Sequence, residues 1–137
     1  MDPNLIKYGM AFIYLAVDIT YVVLSRGYYN EVVKKIQGAP MNIKRDSYIV
    51  AIISYAILTI GWIVLVANRL SAKSNWDELL PTAVMYGLAV YGVFNATLYV
   101  MFKNWDYAVS IRDTLWGVSW ITVSAAIYLY LLKMYKK

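Results

Sequence analysis

Four stretches of predominantly apolar residues, each about 20 long, constrain this chain more than anything else in it. A helix of that length crosses a bilayer core about 30 Å thick. The first runs from about Leu5 to Ser25 and is broken by a single charge, Asp18. The second, Ser47 to Asn68, and the third, Leu79 to Phe102, carry no charge. The fourth runs from about Ala108 to Leu132, with Arg112 and Asp113 near its start. The pattern predicts an all-α integral membrane four-helix bundle, a single multi-pass domain over residues 1–137 with spans at about 5–25, 47–68, 79–102 and 108–132. The short connectors leave no room for a soluble domain. An uncleaved first span is expected rather than a signal peptide, because Asp18 interrupts the apolar run and no small-residue cleavage motif follows.

Composition narrows the chemistry. Only 15% of the residues are charged, against 61% apolar, whereas a soluble domain is nearer a quarter charged. A soluble enzyme and a nucleic-acid-binding tail are both poor fits, and the expected partner is the lipid bilayer. The chain has no Cys and no His. Disulfides, thiolate nucleophiles and Cys-based zinc or iron–sulfur sites are excluded, and the commonest general base and metal ligand are missing. No glycine-rich phosphate loop, nucleophile elbow or EF-hand pattern is present. No cofactor, metal or nucleic acid is expected.

The punctuation agrees with four spans. Asp77, Glu78 and Pro81 mark the start of a helix, and Asp106 is placed to cap another. Trp76 and Trp105 fall at expected membrane interfaces, where amphipathic rings anchor. In the first loop, Tyr29, Val32, Val33 and Ile36 follow helical spacing, with Glu31, Lys34 and Lys35 on the other face and Gly38-Ala39-Pro40 as a stop. A short amphipathic helix is expected there, lying on the membrane surface or serving as a connector.

Lipid tails gain nothing from hiding Leu, so span interfaces draw on small and polar residues. Ser47, Ser54, Gly61 and Asn68 recur every seven residues in the second span. Ala83/Gly87 and Gly92/Ala96 are small pairs in the third span, and the fourth has Asp113/Gly117 with Ser124 one heptad beyond Gly117. These stripes are expected to face the bundle interior or a second copy of the chain.

Counting residues from the span ends places the intramembrane polar groups at a common depth. Four consecutive crossings put the first and third loops on one side of the membrane. Asp18, Ser54 or Tyr55, Asn95 and Asp113 all fall five to seven residues inside that side, roughly 8–11 Å deep at 1.5 Å per residue. They are expected to form one polar layer, with Tyr91 one turn from Asn95, and Thr97 close by. An ionised carboxylate in hydrocarbon costs about 2.5–3.5 kcal/mol, so both acids should face inward. Candidate counter-charges are Arg26 and Arg112; Tyr14, Tyr21, Tyr91 and Trp116 are candidate donors. The layer admits three readings: a structural clasp, an ion, proton or small-solute site in an oligomeric conduit, and catalysis on a lipid headgroup. The clasp ranks first. Four spans are few for a transport pathway, and two carboxylates with tyrosines are a thin catalytic inventory.

At these residues the chain also resembles a known family. The order is Asp18, then Arg26-Gly27-Tyr28-Tyr29, Tyr91-Gly92-Val93-Phe94-Asn95-Ala96-Thr97, Lys103-Asn104-Trp105 and Asp113-Thr114-Leu115-Trp116-Gly117. It is similar to an uncharacterised family of small four-span membrane proteins of bacteria and large DNA viruses, catalogued as a domain of unknown function. The chain departs from that pattern at Asn95, where the family has Asp, at Leu98 for Asn, at Asn104 for Gly and at Asp106 for Pro. The resemblance implies a multi-pass membrane protein and supplies no activity. The resulting expectation is a structural or accessory membrane protein, with the oligomeric conduit as first alternative and a lipid-modifying accessory enzyme as second. Seven bases on the side of the first and third loops against six on the other give only a lean toward a cytoplasmic placement of those loops.

Overall fold

A computed structural model describes residues 2–135. Five α-helices make up the fold: α1 (Pro3–Gln37), α2 (Arg45–Gly61), α3 (Trp76–Gly87), α4 (Val93–Met101) and α5 (Tyr107–Tyr135). A π-helical turn over Trp62–Val66 and a 3₁₀ turn over Ala67–Arg69 prolong α2. A second π turn, Leu88–Gly92, joins α3 to α4 without a break. Four continuous rods result, Pro3–Gln37, Arg45–Arg69, Trp76–Met101 and Tyr107–Tyr135, each long and apolar enough to cross a membrane.

The rods begin and end where local chemistry dictates. Asp2 caps α1 by accepting from the Asn4 N–H at 2.8 Å, and Pro3 occupies the first turn. Asn75 caps α3 through its side-chain oxygen, 3.2 Å from the Glu78 N–H. Pro81 therefore lies inside α3 rather than in its first turn. Asp106 Oδ1 accepts from the Ala108 N–H at 2.8 Å ahead of α5.

One expected element is absorbed into another. The amphipathic segment Tyr29–Ile36 is helical, but it is the end of α1 and not a separate helix. Arg26 ends the apolar run without ending the hydrogen-bond ladder, and Gly27 is tolerated in a helix interior at a cost of about 1 kcal/mol. The stop is Gly38, whose φ of 74° is left-handed and whose N–H reaches Lys34 O at 2.9 Å.

The apolar core sits at the end of the bundle where α1 begins and α5 finishes. Trp62 is its centre, fully buried, stacked on Tyr14 at 5.8 Å and edge-on to Tyr128 at 5.8 Å. Its indole N–H donates to Ser124 Oγ at 3.0 Å, so the one polar atom of that ring is satisfied. Ile6, Met10, Val66, Leu79, Ala83, Ile121 and Ala125 close around it. Small residues let the third and fourth rods approach. A Cβ on Gly87 would lie 2.8 Å from Val118 Cα, and one on Gly117 would fall on the Tyr91 ring. In α2 the expected stripe is mostly unspent: Gly61 packs under the Tyr86 hydroxyl, while Ser47, Ser54 and Asn68 are exposed. No α2 residue from Arg45 to Gly61 is buried, and Ile49, Ile53, Ile57 and Ile60 face outward. A surface of that kind suits lipid.

Candidate functional site

The polar groups gather in the other half of the bundle, between α1, the third rod and α5. Asp113 is the more tightly held carboxylate. Its Oδ1 accepts from Tyr29 Oη at 2.5 Å and its Oδ2 from Asn95 Nδ2 at 2.6 Å. Three rods thus converge on one side chain. Asn95 is itself fixed: its amide also donates to Tyr91 O at 2.9 Å, and its backbone carbonyl accepts from Ser110 Oγ at 3.2 Å.

Asp18 lies in a second tier. Its Oδ1 accepts from both Tyr91 Oη and Trp116 Nε1, each at 2.9 Å. Tyr91 and Asn95 are four residues apart on the third rod, and Trp116 is three past Asp113 on α5. The residues that hold the two carboxylates are therefore about one turn, ~5.4 Å, apart along their helices. A bonded path still links the tiers, from Asp18 through the Tyr91 side chain, then from the Tyr91 carbonyl through Asn95 to Asp113.

The π turn at Leu88–Gly92 lies where Tyr91 leaves the third rod. Such turns widen a helix locally and often accompany sites. Sequence periodicity gave no sign of it. On the opposite wall, Gly117 is the seat of the Tyr91 ring, which runs on to Asp18. Tyr29 was missed as a partner for Asp113 because the first span was ended before it.

Neither Arg serves as a direct counter-charge. Every donor to the two carboxyls is a neutral hydroxyl, amide or indole. Arg112 turns away from Asp113, donates to Ser25 Oγ at 3.1 Å and lies over the rings of Tyr28 at 4.9 Å and Tyr21 at 5.7 Å. Arg26 is exposed beside a shallow crevice that Gly27, Asn30, Pro40 and Met41 also line.

The remaining candidates stand outside the bonded network. Ser54 is exposed and donates to Val50 O at 2.9 Å, and Thr97 is exposed and donates to Val93 O at 2.7 Å. Both hydroxyls sit at the right depth on the wrong face of their helices. Tyr55 is half-buried, toward Asp18 and Asp113, without a hydrogen bond. Trp76 is exposed at the start of α3, and Trp105 donates to Ser110 Oγ at 2.9 Å. The hydroxyls of Tyr14 and Tyr21 are buried with no partner. Among the described residues, no group of three or more acidic side chains is placed to hold a metal ion.

A family model described as predicted membrane protein (DUF2177) matches residues 5–130. No curated protein and no solved structure matches the chain.

Proposed function

We propose that this chain, which belongs to a family of predicted membrane proteins of unknown function, is a multi-pass structural or accessory component of its membrane, in which the two-tier polar network acts as a clasp. The observation that carries this reading is the convergence of Tyr29, Asn95 and Asp113, one residue from each of three rods, at bonds of 2.5 and 2.6 Å. In hydrocarbon, apolar side chains give helices no reason to prefer one another to lipid. Buried donors and acceptors do give one, since each must find its partner at a single register and rotation. The clasp thus fixes how α1, the third rod and α5 sit together where the apolar core does not reach.

The test is thermal unfolding in detergent of the parent chain, Asp113→Ala and Asp113→Asn. Hydrogen bonds to a charged group are worth about 1.5–3 kcal/mol in soluble proteins, and interhelical bonds in membranes average nearer about 0.6. Asp113→Ala removes two such bonds and leaves the Tyr29 hydroxyl without its Asp113 partner, and should cost about 1–3 kcal/mol. Asp113→Asn should cost less, because an amide keeps one acceptor. Melting of both variants at the parent temperature would overturn the clasp. Liposomes carrying the chain should show no ion flux above empty liposomes; a flux abolished by Asp113→Asn would favour a conduit instead.

A further inference from the structure

Asp18 has an oxygen to spare. It is 2% exposed, yet both bonds to its carboxyl fall on Oδ1. One turn earlier on the same face of α1, Tyr14 is fully buried, and its hydroxyl has no hydrogen-bond partner. The Tyr91 hydroxyl, itself bonded to Asp18, stands beside it, and no bond joins Tyr14 to the Asp18 carboxyl. Asp113 differs on each point: both of its oxygens accept, at 2.5 and 2.6 Å.

Two ionised carboxylates one turn apart, with only neutral donors, would carry two uncompensated charges in hydrocarbon. The groups that face Asp18 do not relieve this. They are Tyr14 from its own helix, Tyr55 from α2, Tyr91 from the third rod, and Asp113 from α5. The nearby cation, Arg112, is stacked on Tyr28 and Tyr21 and bonded to Ser25. An alkali ion would call for several more oxygen donors than one free carboxyl oxygen and an orphaned hydroxyl supply. One bound proton removes one of the two charges and requires a single oxygen.

We propose that Asp18 is a proton-binding site: the proton resides on Asp18 Oδ2, the carboxyl oxygen that accepts no bond. The step is simple proton uptake by a carboxylate and release of the same proton. It uses the carboxylates of the clasp, and the two readings fail separately: loss of melting temperature reports the clasp, and the protonation state of Asp18 reports this site.

The test is infrared spectroscopy of the full chain in lipid nanodiscs, with and without carbon-13 aspartate, in buffers free of alkali ions and then with sodium or potassium added. The expected result is a protonated carboxyl stretch near neutral pH that moves with the isotope, is absent from Asp18→Asn and persists in Asp113→Asn. Trp116→Phe, which removes one of the two donors to Oδ1, should shift the frequency without abolishing the band, which keeps the test valid if Asp18→Asn fails to fold. A band retained in Asp18→Asn, or absent from the parent chain at every pH where it stays folded, overturns the proposal. A band displaced by sodium or potassium also overturns it, and would assign the site to an alkali ion.

Discussion

At the scale of residues, the network depends on a glycine as much as on its acids. Gly117 has no side chain where the Tyr91 ring passes, and that ring carries the hydroxyl to Asp18. Gly117→Ala places a methyl group inside the ring's volume, so Tyr91 must move or α5 must back away. Overpacking of this kind costs typically 1–3 kcal/mol, and here it should also break the Tyr91–Asp18 bond. Trp116 donates to the same oxygen and stacks on Tyr21 at 4.2 Å. The tryptophan emission of Gly117→Ala should therefore shift relative to the parent chain, and an unchanged spectrum with unchanged melting would contradict the packing described. Depth along a span was readable from the sequence, and this is why Asp18, Asn95 and Asp113 were set apart as a group. Rotation about the helix axis was not. Ser54 and Thr97 share the depth, but each spends its hydroxyl on the carbonyl four residues back, a bond available on any face of any helix.

At the scale of elements, the four rods were legible because length and apolarity are properties of a stretch and survive without knowledge of neighbours. Their ends were less so. Arg26 and Gly27 look like an exit from the membrane, yet the helix continues for ten more residues to Gln37. Charge stops insertion into lipid, whereas a left-handed residue or a proline stops a helix. The two π turns had no signature at all, since both lie in ordinary apolar sequence. Glycines in the rods divide into two kinds, which gives a paired prediction. Gly27 has nothing within 4 Å of a Cβ. Gly27→Ala should stabilise the chain by about 0.5–1 kcal/mol through helix propensity alone. Gly87 has the Val118 backbone 2.8 Å from the same point. Gly87→Ala should destabilise despite the same gain in propensity, because backbone cannot swing aside as a side-chain tip can. Opposite signs in parallel thermal melts are the expected outcome, and equal signs would contradict the close approach of the third and fourth rods.

At the scale of the whole molecule, the two halves of the bundle are held by different means, an apolar core around Trp62 at one end and hydrogen-bonded acids at the other. The sequence has no cysteine, so a single introduced thiol is an unambiguous marker of sidedness. Cysteines at Lys35 and Lys73 should react with a membrane-impermeant maleimide from opposite faces of sealed vesicles; labelling of both from the same face would contradict four crossings. The length of α1 has its own consequence. Its 35 residues measure about 52 Å at 1.5 Å per residue, while the oily slab is about 30 Å thick. A mast so much taller than the deck it pierces must lean or stand proud. Tyr29, low on the overhanging part, is moored to Asp113, so any tipping of the mast bears on that mooring.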